Sequence, residues 1–280
     1  MVMRSLIVLA ALLLPLAATA EEAMLQKAWV TAAELRVPES VRYDAERKVL
    51  YVSNIAGTEP WADDGNGSIA KVGLDGTVID AEWVTGLNGP KGMDIRGEQL
   101  LVTDIDDVVT IDIPSGAIVD RVTVPGAMKV NDLSISDDGT VYVTDSGLHR
   151  IQAWDGDSFE TVVEGLTALN GVLYSQGELL FVADGGLHSV QGDGLYTTIA
   201  TGMEGRVDGV ERVDDDTWLV SCWQGTVYIV RRDGSIRLLL DGRPDETSAA
   251  DLGYDPVNRV AYFPGFWKNN VAAYRLVTGD

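Results

Sequence analysis

Apolar and polar residues alternate in short runs along this chain, and the runs recur in phase. Six segments have an apolar residue two places after their second position, and five of the six have another apolar or aromatic residue two places later. This alternation predicts a strand with one buried face. The segments are residues 38–43, 90–95, 130–135, 169–174, 207–212 and 249–254.

A second predicted strand follows each segment after a short turn, most often one with Gly, Asp or Asn, which is typical of a hairpin. These strands are residues 50–54, 101–104, 141–145, 180–184, 218–222 and 260–263. A third strand is predicted at residues 69–72, 108–111, 149–153, 227–230 and 271–276, with a weak signal near 189–190. Turns such as Asp75-Gly76 and Asp233-Gly234 lead to a fourth strand, for example at residues 161–163 and 236–240.

The spacing of the six segments decides the predicted fold. Their second positions are separated by 52, 40, 39, 38 and 42 residues, and the longer first step contains residues 55–68, a loop rich in Gly, Asp and Asn. Four short strands in every repeat of about forty residues predict a six-bladed β-propeller with four antiparallel strands per blade. A β-sandwich is the competing all-β class, but it does not need six in-phase repeats.

Ring closure is also predicted by the pattern. The chain ends after the third strand of the last repeat, whereas residues 26–31 have strand character and precede the first repeat. We expect this N-terminal strand to complete the last blade, which would protect an otherwise open sheet edge.

The first twenty residues have the features of an export signal. Arg4 precedes an apolar run at residues 6–16, and Ala18-Thr19-Ala20 gives a small-x-small cleavage pattern. We predict that residues 1–20 are a secretory signal peptide and that residues 21–280 form one domain, periplasmic or secreted. A membrane anchor is the alternative, but the run is shorter than the roughly 20 residues that span a bilayer.

Composition and charge limit the partners. The formal net charge is −22, which disfavours nucleic acid and anionic membranes and favours cations. The single cysteine, Cys222, excludes an intrachain disulfide and is expected to be a small buried side chain. We expect a monomer that acts on a small molecule, without a nucleic-acid or membrane partner after signal cleavage.

One position of the repeat carries most of the candidate chemistry. The second position of each segment is expected just before the innermost strand, facing the central channel. Two carboxylates and two amide oxygens in this set suit a hard cation such as Ca²⁺, whereas zinc prefers nitrogen or sulfur ligands. A water-filled channel lined by polar side chains is the alternative. These six residues, called the channel set below, are Glu39, Lys91, Asn131, Asn170, Asp208 and Ala250.

A family resemblance is carried by residues 37–41 (Val-Pro-Glu-Ser-Val), residues 169–172 (Leu-Asn-Gly-Val) and the pair Asp208-Gly209, and by residues 250–255 and 270–276 near the end. The mature chain resembles the family of gluconolactonase, regucalcin (senescence marker protein) and luciferin-regenerating-enzyme-like proteins. Paraoxonase and diisopropyl fluorophosphatase are more distant members of the same fold.

The resemblance implies a calcium-dependent hydrolase acting on a lactone or related ester. It implies that a catalytic divalent metal, usually calcium, is bound by Glu39, Asn131, Asn170 and Asp208. Asp208 would have a second role as nucleophile or general base. Lys91 departs from the family pattern, and it is predicted either to bind an anionic substrate or to form a salt bridge with Glu39 or Asp208.

Two other functions remain open at this point. The arginine and asparagine that recognise sugar hydroxyls in regucalcin have no counterpart here, which leaves room for a non-catalytic propeller that binds a small ligand or a protein on one face. A metal-free propeller enzyme like strictosidine synthase is the third possibility, and the oxygen-rich set of channel residues disfavours it. A fold alone does not choose between them.

Several residues outside that set have expected local roles. Trp61 is predicted to form a lid, and Trp223, Phe266 and Trp267 either line the opposite wall or pack between blades. Asp132 and Asp251 are expected to support the channel residues or to hold another ion. We expect His149 and His188 to lie in loops or at strand edges, and the acids and amide that end the second strands to cap backbone; these are Asn54, Asp104, Asp145 and Asp184.

Overall fold

The computed structural model describes residues 23–277, which form six four-stranded antiparallel sheets. The predicted six-bladed propeller with four strands per blade is confirmed. Strands are numbered β1 to β24 in chain order.

Blade 1 contains β2 (Pro38–Asp44), β3 (Val49–Asn54), β4 (Gly67–Gly73) and β5 (Val78–Leu87); blade 2 contains β6 (Pro90–Arg96), β7 (Gln99–Asp104), β8 (Asp107–Asp112) and β9 (Ala117–Thr123). Blade 3 contains β10 (Val130–Ile135), β11 (Val141–Asp145), β12 (Arg150–Trp154) and β13 (Phe159–Glu164); blade 4 contains β14 (Val172–Ser175), β15 (Glu178–Ala183), β16 (Gly186–Gly192) and β17 (Leu195–Thr201). Blade 5 contains β18 (Val207–Asp214), β19 (Thr217–Cys222), β20 (Thr226–Arg231) and β21 (Ile236–Asp241); blade 6 contains β22 (Gly253–Asp255), β23 (Val260–Pro264), β24 (Val271–Val277) and β1 (Met24–Val30).

The described part of the chain has two single-turn 3-10 helices, Arg243–Asp245 and Phe266–Lys268. Neither has the length or apolar character of a membrane-spanning helix. The predicted signal peptide, residues 1–20, lies outside the described residues.

The apolar core is divided among the six interfaces between neighbouring blades. In blades 1 and 2, for example, Tyr51, Leu87 and Leu100 belong to one buried cluster. Comparable clusters join blades 2 and 3, 3 and 4, 4 and 5, 5 and 6, and 6 and 1. Because each strand alternates its side chains, β-branched and aromatic residues on both faces of a blade reach the adjacent blades. The core therefore surrounds the channel, leaving the innermost strands free to present polar side chains to it.

The N-terminal strand closes the ring as predicted. β1 pairs antiparallel with β24, from Met24 opposite Val277 to Val30 opposite Ala272. The Trp29 ring lies 5.8 Å from that of Tyr262, and its Nε1 donates to Leu74 O at 2.9 Å. The first strand therefore stabilises the contact between blades 6 and 1 as well as the edge of blade 6.

Deleting residues 21–30 is expected to lower the melting temperature by about 10 °C or more. Loss of a packed Trp costs about 3–5 kcal/mol, and 1 kcal/mol corresponds to about 2–4 °C in a domain of this size. Differential scanning calorimetry measures the change, and an unchanged melting temperature would show that β1 contributes little to closure.

Two details differ from the sequence prediction. The third strand of blade 4, weak in the pattern, is a full strand, β16. Four of the channel-set residues lie within the innermost strand instead of just before it; they are Glu39, Lys91, Asn131 and Asp208. In each of the four blades the pairing with the second strand is irregular across that residue, and such a bulge changes the direction of a side chain while the strand continues.

Candidate functional site

The channel set comes together in one cavity of about 360 Å³, within the range of small-molecule sites. Glu39, Lys91, Asn131, Asn170 and Asp208 all line it. All of these except the half-buried Asn170 are buried, and Asp208 and Lys91 are each only 2% exposed. The structure thus places every predicted metal ligand and both predicted catalytic residues around one space. Their chemical roles remain predictions.

Close packing of the blades around the channel requires glycine after three of these residues. A Cβ at Gly92, after Lys91, would lie 1.9 Å from Asp132 Oδ1, and a Cβ at Gly209, after Asp208, would lie 2.3 Å from Asp251 Oδ1. A Cβ at Gly171, after Asn170, would lie 2.2 Å from Asp208 O in the next blade. Asn-Gly and Asp-Gly are common turn dipeptides. In blade 5, however, the pair lies within β18 and the glycine gives room to the neighbouring blade.

The two carboxylates of the set are buried, and Asp208 has a side-chain hydrogen bond with Asn170. Glu39 Oε2 is buried and accepts no hydrogen bond from the residues that the structure describes. Burial raises the pKa of Glu39 to about 8, with Lys91 opposing the rise and Asp251 adding to it. The pKa of Asp208 is also well above its usual range, mainly through burial and then through the charges of Glu39 and Asp251. A cation between these groups would offset the cost of burying them.

Lys91 makes different contacts from those predicted. Its Nζ donates to Pro60 O at 2.8 Å and to Gly89 O at 3.2 Å, and it lies 4.2 Å from the centre of the Trp61 ring. The predicted salt bridge with Glu39 or Asp208 is absent from the contacts of the described residues. Burial lowers the Lys91 pKa, and the nearby Glu39 charge opposes that change. Backbone carbonyls therefore hold the ammonium group, and Glu39 keeps an unpartnered oxygen.

The donor chemistry fits a divalent cation such as calcium. Asn131 donates through Nδ2 to Ser146 Oγ at 3.2 Å, which leaves its Oδ1 as the atom for a ligand. Together with Glu39, Asp208 and Asn170 it offers carboxylate and amide oxygens, which hard cations prefer. Within residues 23–277 no group of three His, Cys, Asp or Glu side chains forms a metal site, and this mixed set contains only two such residues.

Below the cavity the channel is filled by an ion-pair cluster around Arg42. Its guanidinium contacts Asp94 Oδ1 at 2.6 Å and Glu211 Oε1 at 3.4 Å. The remaining space there is about 20 Å³, room for about one water molecule. The candidate site is therefore separated from the opposite mouth of the channel.

Asp132 and Asp251, considered as ligands of another ion, bind protein groups instead. Asp132 accepts the N–H groups of Leu133 and Val172 at 2.7 and 2.8 Å. Asp251 accepts the hydroxyl of Ser40 in blade 1. With Arg42 supplying the nearby positive charge, these carboxylates link adjacent blades below the cavity.

Three of the four residues that end the second strands have the expected capping role. Asp104 accepts the N–H groups of Asn88 and Gly89, Asp145 accepts four backbone N–H groups, and Asn54 accepts that of Arg36. Asp184 is exposed, and its side chain accepts none of the hydrogen bonds made by the described residues. These bonds hold the connections between blades.

Neither the histidines nor the cysteine contribute to the cavity lining. His149 is exposed. His188 is buried; its Nδ1 lies 3.1 Å from Thr198 Oγ1 and its Nε2 lies 3.1 Å from Ala183 O. Cys222 is fully buried, which raises its thiol pKa to about 11, as expected for a packing residue without thiolate chemistry.

The upper wall of the cavity is aromatic. Trp61 lines the cavity, as do Trp223, Phe266 and Trp267, and the lid role of Trp61 stays a prediction. The Phe266 ring is 5.5 Å from that of Trp223 and 4.8 Å from that of Trp267. Ala250, which brings no oxygen to the set, packs with Phe266, so blade 6 adds to the apolar side of the cavity.

Arg206 is a cavity-lining residue that the sequence prediction missed. It lies outside the channel set, two places before Asp208. The repeat could have pointed to Arg206, because another basic residue, Lys129, also lies two places before a channel-set residue, Asn131. Position in the repeat therefore marks the mouth of the channel as well as its interior.

Comparison with known proteins finds a likeness of fold to solved structures. No protein-family model matches the sequence, and no curated protein matches it. A streptogramin B lyase structure matches with a TM-score of 0.67 at 11% identity, covering 92% of this chain and 98% of that one. The likeness is one of fold. A gluconolactonase from Xanthomonas campestris matches with a TM-score of 0.65 at 15% identity over 93% and 99% of the two chains, and a luciferin-regenerating enzyme with 0.64 at 14% over 92% and 97%.

Proposed function

We propose that this protein is an exported, calcium-dependent hydrolase of the gluconolactonase-like type that acts on a lactone or related ester. The observation that carries the proposal is the buried, unpartnered Glu39 Oε2 in the same cavity as Asp208, Asn131 and Asn170. Fold likeness to a gluconolactonase and a luciferin-regenerating enzyme supports enzymatic activity on a small molecule. Export is proposed from residues 1–20 alone.

A divalent cation held by Glu39, Asn131, Asn170 and Asp208 would polarise a carbonyl oxygen and stabilise the negative charge that develops on it. Asp208 is the group that this chain offers for the second part of the reaction. Its carboxylate can accept the proton of a water that attacks the carbonyl carbon; the ester C–O bond then breaks and the leaving alkoxide takes up that proton. Alternatively the carboxylate attacks that carbon itself and the alkoxide leaves with a proton from water, after which a second water hydrolyses the anhydride formed. The buried position of Asp208 in a cavity keeps its carboxylate from being fully hydrated.

Lys91 acts in this proposal through position and charge. Its bonds to Pro60 O and Gly89 O, and its contact with Trp61, hold the loop that forms one cavity wall. The buried ammonium group also adds positive charge to a cavity where hydrolysis of an ester creates an anion. The aromatic residues above it limit the access of water to the bound substrate.

A hydrolysis assay tests the proposal directly. The mature chain is assayed against aliphatic and aromatic lactones and esters in calcium, after chelation, and after calcium is restored. We expect hydrolysis that chelation removes and calcium restores. Equal activity after complete chelation would contradict the metal-dependent mechanism. Absence of hydrolysis across the panel, in folded protein, would favour a binding function for the cavity.

A further inference from the structure

Two cationic side chains lie beside the cavity although the whole chain has a net charge of −22. Arg206 lines the cavity, and its guanidinium makes no hydrogen bond or ion pair with the residues that the structure describes. Lys129 Nζ lies on the outer side, 5.5 Å from the centre of the Trp61 ring. The acids that line the cavity are Glu39 and Asp208, which are buried in its interior. Arg206 is therefore an exposed cation in the cavity lining, whereas the two acids of the lining are buried.

The backbone at Arg206 is fixed although its side chain is free to meet a ligand. Arg206 N donates to Gln224 Oε1 at 2.7 Å, and Arg206 O accepts the N–H of Trp223 at 2.9 Å. The residue directly precedes β18, the strand that carries Asp208. Its Cα is thus held in a constant position relative to the reacting groups, as expected of a residue that orients a ligand.

The rest of the entrance is apolar. Trp267 is 48% exposed, and it adjoins buried Phe266 and half-buried Trp223. An exposed indole at the edge of a cavity gains free energy when an apolar ligand covers it. Few hydrogen-bonding groups lie on this wall, which suits a hydrocarbon or aromatic body better than one bearing many hydroxyl groups.

We propose that the substrate is an amphipathic anion, an ester or lactone with a free carboxylate. Arg206 binds the carboxylate, and the apolar body lies against Trp223, Phe266 and Trp267. This inference rests on the proposed hydrolase function, because it calls the ligand a substrate. The binding itself does not require hydrolysis. Arg206 is therefore a specificity-determining residue, since its planar guanidinium matches a carboxylate in geometry and charge.

Binding of a matched set of probes tests the inference separately from activity. The probes are 4-phenylbutyrate, 4-phenylbutyramide and 4-phenylbutanol. They share one apolar body, and none of them contains an ester bond. Quenching of tryptophan fluorescence reports binding, because Trp61, Trp223 and Trp267 line the cavity. We expect the carboxylate to bind about tenfold more tightly than the amide or the alcohol, the effect of one charge-assisted contact.

Variants assign that preference to one side chain. Arg206→Gln is expected to abolish the preference for the carboxylate while leaving amide binding unchanged, and Arg206→Lys is expected to restore part of it. Arg231→Gln, which removes an exposed arginine at the end of β20, is the matched control and is expected to keep the full preference. Equal affinity for all three probes, no binding of any probe to the folded protein, or a preference that survives Arg206→Gln would overturn the inference.

The outcomes are distinguishable from failure of the proposed hydrolase. Carboxylate-selective binding without hydrolysis in any condition would support the anion site and contradict the enzymatic function. Calcium-dependent hydrolysis with equal kcat/KM for neutral and anionic esters of one size would support the enzyme and contradict the role of Arg206.

Discussion

Asp208→Asn is expected to reduce kcat for the calcium-dependent hydrolysis by about 10³-fold or more, the range seen when a group acting in the transition state is removed. The substitution keeps the size of the side chain but removes the carboxylate that would accept a proton or attack the substrate. It also removes one of two charged ligands from the candidate metal site. Initial rates at saturating substrate and calcium measure the effect.

Asp184→Asn is the matched control, because Asp184 is exposed at the end of the second strand of blade 4. Its activity is expected to equal that of the unmodified protein. A melting temperature within a few degrees of the parent shows that Asp208→Asn still folds. Full activity of folded Asp208→Asn would contradict the proposed chemistry.

Glu39→Gln is expected to change stability in opposite directions with and without calcium. In the chelated protein burial raises the pKa of Glu39 to about 8, so at pH 7 folding must protonate a carboxyl group that is ionised in the unfolded chain, which costs free energy. A neutral amide of the same size avoids that cost and should raise the melting temperature, by about 2–4 °C for each kcal/mol.

With calcium at 100 times its dissociation constant, the parent gains about 2.7 kcal/mol, and Glu39→Gln should gain little because it lacks a charged ligand. The order of the two melting temperatures is therefore expected to reverse. Thermal melts at pH 7 with chelator or with calcium measure it, and Glu98→Gln, in an exposed turn of blade 2, is the control. If calcium stabilises Glu39→Gln as much as the parent, Glu39 is not a ligand.

The repeat explains why much of the candidate site could be predicted from the sequence. A propeller brings equivalent positions of its repeats to the same radius, so the phase that aligned Glu39, Asn131 and Asp208 also placed them around one channel. The same phase identified the missing strand of blade 6. Periodicity did not show that bulges carry these residues within the innermost strands, because it is insensitive to one extra residue in a strand.

Other contacts in and beside the cavity were not predicted from the sequence. A salt bridge with a carboxylate was one of two roles predicted for Lys91, but the loop between β3 and β4 places Pro60 O and the Trp61 ring beside its Nζ. Arg42 lies in β2 beyond the channel set, and its ion pairs with Asp94 and Glu211 join three blades. Such contacts follow from loop conformation and from the distance between blades, neither of which hydrophobic patterning specifies.

Titration of calcium into the chelated mature chain, residues 21–280, by isothermal calorimetry tests the central claim of a cation site in the channel. We expect one calcium ion bound per chain and no binding to Asp208→Ala whose fold is confirmed by circular dichroism. Absence of calcium binding to the folded parent, or equal binding to Asp208→Ala, would contradict the account and leave the buried oxygens as the lining of a polar channel.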